Sequence, residues 1–187
     1  MYTPDQVRAA EQPLLARLGE KLMLSAAFAV AVECARLLDH HPYGKRVLVL
    51  AGSGGNGGDA LYAAEELERR GAHITVWQTS TGLHHAYRRP EEPTAAAAAR
   101  ADLIIDGVVG IGASGGLRGE AAQAASIIAE HATCPVVAVD IPSGVDPMTG
   151  VPGDSYIRAT STVTFGGLKP VHVLGWEYCG DVVLRGL

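Results

Sequence analysis

Arg46-Val47-Leu48-Val49-Leu50-Ala51-Gly52-Ser53-Gly54-Gly55-Asn56-Gly57-Gly58-Asp59 runs from an unbroken apolar segment straight into a glycine-rich turn. An apolar run over Val47–Leu50 without alternation reads as a strand buried on both faces, the pattern of a parallel sheet. The residues beyond the turn, Asp59–Arg70, have the length and spacing of a helix. The same alternation continues downstream. His73–Trp77, Leu103–Ile105, Val136–Val139 and Thr162–Phe165 are short and rich in branched residues, and Thr94–Ala101 and Glu120–His131 are helical stretches between them. Asp181–Leu184 adds an edge strand. This order predicts a doubly wound, Rossmann-like α/β fold: a mostly parallel sheet with helices on both faces, three layers in all.

Upstream, Thr3-Pro4-Asp5-Gln6 sets a hydroxyl cap, a proline at the first helical position and a glutamine three residues after the cap, so a helix starts there. Pro13 is expected to interrupt it. Met23, Ala27, Val30, Cys34 and Leu37 then follow helical spacing, with a small-residue face, and His40-His41-Pro42-Tyr43-Gly44 ends this second helix. Three segments read as loops: Thr79–Pro93, Ala113–Gly119 and Pro142–Ser155. The whole, 1–187, is read as one domain, with a helical pair over 1–44 and the α/β core over 45–187.

With 48% hydrophobic and 19% charged residues, the chain can bury a core. Its net charge of −5 argues against nucleic acid and anionic membranes as partners, since both need a basic footprint. Cys34, Cys134 and Cys179 lie far apart without CxxC spacing and read as reduced core residues. The first residues lack the basic-then-apolar plan of a signal peptide, which predicts a cytoplasmic protein.

Ligands of doubly wound sheets bind outside the carboxyl ends of the strands. Three strand ends carry polar, glycine-rich sequence. Gly52–Asp59 can turn successive N–H groups inward, and the following helix adds about half a positive charge, an arrangement suited to phosphate. Gly52–Gly57 also matches GxGxxG, but the second strand ends in Val76-Trp77-Gln78-Thr79 without the acid that a ribose-binding dehydrogenase places there. Asp106, followed by Gly110–Gly116, and Asp140, followed by Ser143, close the next two strands. Asn56, Asp106, Asp140 and Ser143 are therefore expected to share one crevice. Two carboxylates beside a phosphate loop require a proton on one of them or a cation between them. Oxygen ligands of these kinds suit a hard cation.

Other candidates carry less. Ser143 lacks a GxSxG elbow. His84-His85 and His40-His41 read as solvated, and Asp59 is either a helix cap or part of the loop. Lys169 and Arg118 either meet a phosphate or lie exposed.

Together these stretches resemble the NAD(P)H-hydrate epimerase family, with its GxGNNGGDG loop, its D-x-x-x-G-x-G-rich loop, its DIPSG loop and a later Lys-Pro. The match runs in order from Val47 to Pro170. The resemblance implies interconversion of the R and S epimers of hydrated NADH or NADPH, alongside an S-specific dehydratase as functional partner. It implies one potassium ion per subunit on Asn56, Asp106 and Ser143, with backbone carbonyls completing the shell. It assigns the hydrated dinucleotide to Gly55, Asn56, Gly57, Gly58 and Asp59, and to Gly110, Ile111, Gly112, Ala113, Ser114, Gly115 and Gly116. Asp140 matches the acid that contacts substrate, and the chemistry makes it the expected general acid/base. A homodimer through the N-terminal helices is a further expectation. Two positions depart from the pattern: Gly55 stands for the first Asn of the loop, and Ala60 for its closing Gly. The rival reading is an inactive nucleotide-binding or protein-interaction module of the same fold.

Overall fold

The structure is a computed structural model that describes residues 1–79, 94–112 and 115–186. Its first helix, α1 (Pro4–Leu18), begins with the expected reciprocal cap. Thr3 N–H donates to Gln6 Oε1 at 2.9 Å, and Gln6 N–H donates to Thr3 Oγ1 at 3.2 Å. Pro13 does not interrupt this helix but lies inside it. The break comes at Gly19, whose φ of 50° separates α1 from α2 (Glu20–Leu37). Proline removes one helical hydrogen bond, whereas a left-handed glycine turns the chain out of the helix altogether.

The core follows as β1 (Arg46–Ala51), α3 (Gly55–Arg69), β2 (His73–Gln78), α4 (Ala95–Arg100), β3 (Leu103–Gly107), α5 (Gly119–His131), β4 (Val136–Val139), β5 (Ser161–Phe165), α6 (Val171–Leu174), α7 (Trp176–Cys179) and β6 (Asp181–Arg185). Two boundaries bear on function. Helix α3 starts at Gly55 instead of near Asp59, so most of the glycine-rich stretch forms its first turn. Strand β3 extends to Gly107, which places Asp106 within the strand. The four-residue helices α6 and α7 escape sequence reading because one turn has no period.

All strand pairs are parallel, in the order β2-β1-β3-β4-β5-β6. Alternate strand residues feed two cores. Val47, Val49, Ile105, Val137 and Val163 pack against α2 and α3, while Leu48, Leu50, Ile104 and Val136 pack against α4 and α5. The sheet is thus covered on both faces, as the doubly wound reading requires. The alanines of α2 and α3, among them Ala27, Ala31, Ala60 and Ala64, are buried between helix and sheet. Glu33, buried on α2, accepts from Arg36 at 2.7 Å and from the β5 hydroxyl of Ser161 at 2.7 Å, anchoring the helical pair to the sheet. Cys34 and Cys179 are buried and Cys134 is half-buried; all three are free thiols. Among the described residues no helix is long and apolar enough to cross a membrane. The predicted loop beyond Thr79, including His84-His85, lies outside the described residues, as do Ala113 and Ser114.

Candidate active site

The sheet order reverses between β1 and β3, and three glycines let the backbone segments at that point touch. A Cβ on Gly52 would stand 1.8 Å from the Val108 carbonyl oxygen, one on Gly57 1.9 Å from the Gly52 carbonyl oxygen, and one on Gly107 2.6 Å from the Asn56 carbonyl oxygen. No other residue fits these positions without moving backbone. Gly54 and Gly55, by contrast, face open space, and the N-terminus of α3 has no side-chain cap. Its first N–H groups are therefore unsatisfied by a cap and favour a negatively charged ligand.

Beneath this turn, Asp106 is completely buried. Ser143 N–H donates to its Oδ2 at 2.8 Å, Ser143 Oγ donates to Oδ1 at 2.6 Å, and Val108 N–H reaches Oδ1 at 3.3 Å. Burial pushes this carboxyl up to about 6, with the Ser143 bonds opposing the shift. Ser143 Oγ in turn accepts from Val109 N–H at 3.1 Å. Asn56 Nδ2 donates to the carbonyls of Val139 at 2.7 Å and Val109 at 3.2 Å. Of the four residues expected to share one crevice, Asn56, Asp106 and Ser143 converge and tie three strand ends together, while Asp140 is held apart from Asp106 and Ser143 on Lys169 and Thr164. Among the described residues no Lys or Arg pairs with Asp106. Nor is there a group of three His, Cys, Asp or Glu of the kind that holds a transition metal. A buried carboxylate held only by neutral donors, with hydroxyl and amide oxygens near it, is a donor set that suits a hard cation.

Asp140 follows β4 directly, at a φ of 69°. A non-glycine residue in the left-handed region is uncommon and persists only where its surroundings hold it. Here the backbone N–H donates to Val163 O at 2.7 Å, and the carboxylate accepts from Thr164 Oγ1 at 2.9 Å and from Lys169 Nζ. Lys169 is 1% exposed and also donates to Thr164 Oγ1 at 2.9 Å and to Phe165 O at 3.1 Å. His172 completes the clamp. Its Nδ1 accepts from Lys169 N–H at 3.0 Å, which leaves Nε2 to donate to the Asp140 carbonyl at 2.8 Å.

The Asp140 carboxylate opens on a cleft of about 190 Å³ lined also by Glu11, Leu22, Met23, Asn56, Asp59 and Ile111. Asp59, on α3, has its pKa pushed up to about 7, by burial first and then by the charges of Asp140 and Glu11. Glu11 is shifted upward as well, chiefly by burial. An ion-paired carboxylate beside a second, proton-retaining one is an arrangement for moving protons.

The remaining candidates separate clearly. Gly110 packs on Asn56, with its missing Cβ 2.9 Å from Oδ1, while Gly112, Gly115 and Arg118 are exposed. His40 and His41 are exposed in the turn after α2. Lys169 is not exposed but buried and paired with Asp140. Thr164, His172 and Glu11 stand outside the motifs of the sequence, and the Lys169-Pro170 step, three residues from His172, is the nearest signal to any of them.

The family model described as YjeF-related protein N-terminus matches residues 19–92 and 79–171. The bifunctional NAD(P)H-hydrate repair enzyme Nnr of Mycobacterium tuberculosis H37Rv is 47% identical over 193 residues, covering 98% of this chain and 40% of that protein. This chain therefore spans well under half the length of that relative. The NAD(P)H-hydrate epimerase of Clavibacter sepedonicus is 42% identical over 190 residues, covering 90% of this chain and 81% of that protein. A crystal structure of the yeast protein YNL200c superposes with a TM-score of 0.76 at 21% identity, over 96% of this chain and 86% of that one, a likeness of fold. On the family match and on relatives as similar as the Clavibacter protein, the chain belongs to the YjeF-related N-terminal family, that of the NAD(P)H-hydrate epimerases.

Proposed function

We propose that this chain is an isomerase that interconverts the R and S epimers of hydrated NADH and NADPH, in repair of the nicotinamide cofactor. The observation that carries the reading is Asp140, ion-paired to the buried Lys169, opening on a cleft walled by the glycine-rich start of α3. Relatives named for NAD(P)H-hydrate epimerisation and repair support it.

The centre to be inverted, C6, bears a hydroxyl beside a ring nitrogen. Inversion by loss and return of that hydroxyl, or by ring opening and closure, needs proton transfer and no redox step. Asp140 serves as the acid/base group. Lys169 and Thr164 hold its carboxylate toward the cleft, and His172 holds the backbone on which both Asp140 and Lys169 are mounted. The uncapped N-terminus of α3 and the Gly110–Gly116 segment receive the anionic dinucleotide. Asn56, Asp106 and Ser143 would hold one potassium ion, whose chemistry there would be to supply positive charge beside the Asp106 carboxylate. An S-specific dehydratase is the functional partner that consumes the product.

The test is the rate of R-to-S conversion of hydrated NADH, coupled to an S-specific dehydratase, in potassium and in sodium. A potassium-dependent acceleration over the spontaneous rate is expected, together with a thermal stabilisation by potassium that sodium does not match. Asp140→Asn should lower the rate by ~10²-fold or more. Folded protein that gives no acceleration would instead leave a nucleotide-binding module.

A further inference from the structure

The cleft contains more acid than one proton-transfer group requires. Asp59 stands in its wall on α3, with Asp140 across from it at the end of β4 and Glu11 entering from α1. Asp59 Oδ1 is buried without a hydrogen-bond partner. An unpaired buried polar atom is costly to a fold and marks a place where a ligand or a reaction supplies the partner. Asp140 and Asp106 are satisfied by contrast, the one by Lys169 and Thr164 and the other by Ser143.

We propose that Asp59 is a second catalytic residue of the epimerisation, the proton donor to the reacting ring, facing Asp140 as the acceptor across the cleft. The inference rests on the epimerase reading above. Burial and the neighbouring charges of Asp140 and Glu11 keep the proton on Asp59 to near pH 7. Among the described residues that line the cleft with it, α2 contributes the apolar Leu22, Met23 and Ala26, the segment after β3 contributes Ile111, and β5 contributes Phe165. Of the described cations near the cleft, Lys169 is bound to Asp140, and Arg8 donates to the Ile111 carbonyl and pairs with Asp5. One carboxyl is thus kept protonated and the other ion-paired, the division that separates a general acid from a general base.

In ring opening, Asp140 takes the proton of the C6 hydroxyl and the freed electron pair forms the carbonyl. The C6–N1 bond breaks with its electrons on N1, and Asp59 gives N1 its proton. Rotation about C5–C6 presents the other face of the carbonyl. Closure reverses the transfers: N1 attacks C6, its proton returns to Asp59, and Asp140 returns the hydroxyl proton. Protons and electrons balance over the cycle, and the pair is reset.

The test compares the wild type, Asp59→Asn and Asp59→Glu in the coupled R-to-S assay with hydrated NADH, on both sides of neutral pH, with thermal midpoints measured beside it. The wild-type rate should fall as pH rises through about 7, because the donor then loses its proton. Asp59→Asn should lose ~10²-fold in rate together with that alkaline limb, at a midpoint no lower than wild type. Asp59→Glu should keep a limb at a displaced pH. Wild-type rate in Asp59→Asn, or an alkaline limb that stays in place in either variant, would overturn the proposal. A wild type that fails to accelerate epimerisation would overturn the epimerase reading itself, a result distinguishable from the other two.

Discussion

Lys169 and Asp140 form an ion pair almost sealed from solvent, at 1% and 7% exposure. Their backbones are joined through one imidazole, the ring of His172. The residue with the left-handed backbone is therefore held at its N–H, its carbonyl and its carboxylate. A position so restrained can keep a strained φ, and strain of that kind gathers at functional sites.

Removing the ammonium should be far more damaging than losing a surface charge. Lys169→Met leaves the Asp140 carboxylate buried without its partner, which costs about 3–5 kcal/mol. Urea unfolding should show that loss, and Lys169→Met combined with Asp140→Asn should recover part of it. Epimerisation should be lost in both.

His172 must be neutral with its proton on Nε2, because Nδ1 accepts from a backbone N–H. His172→Ala orphans the buried Lys169 N–H and should cost about 1–3 kcal/mol near neutral pH. Burial lowers the pKa of this ring below its ordinary 6.5. The stability it contributes is thus complete above 6.5 and is lost as pH falls through the depressed value. The difference in stability between wild type and His172→Ala should shrink on acidification.

Gly52 and Gly55 are neighbours in the same stretch with opposite tolerances. Gly52→Ala drives a methyl into the Val108 carbonyl, 1.8 Å away, and should cost about 1–3 kcal/mol or more. Gly55 has nothing within 4 Å of its Cβ position. Gly55→Asn should change stability by less than about 0.5 kcal/mol and, by adding an amide at the α3 N-terminus, tighten substrate binding by about 0.5–1.5 kcal/mol. Thermal midpoints and the KM for hydrated NADH report the two effects separately.

Asp59 should weaken the fold at alkaline pH. Its native pKa of about 7 lies above the ordinary 3.8, so the folded state binds the proton more tightly over that interval. Stability then falls as pH rises from 3.8 to about 7 and is level beyond. Asp59→Asn should be more stable than wild type above neutrality, by on the order of 4 kcal/mol, and equal to it in acid.

The alternation of strands and helices is legible along the chain, because unbroken branched runs between helical stretches leave a two-sided parallel sheet as the way to bury them. Legible too was the gathering of Asn56, Asp106 and Ser143, since each follows or ends a parallel strand and all such ends lie on one side of the sheet, whereas Asp140 shares the cleft with Asn56 but pairs with Lys169, apart from Asp106 and Ser143. Other features arise only when distant segments pack together. Lys169 looks from its neighbours like an exposed residue or a phosphate ligand, and its burial depends on a carboxylate 29 positions earlier. Glu11 reaches the cleft only because α1 folds over the strand ends, a placement that no local period encodes. The glycines that read as a loop became the first turn of α3, because Gly57 sits where only hydrogen leaves room for the Gly52 carbonyl. Periodicity and turn chemistry are local and can be read along the chain, whereas the charge state and restraint of an acid depend on which distant groups the packed fold sets beside it.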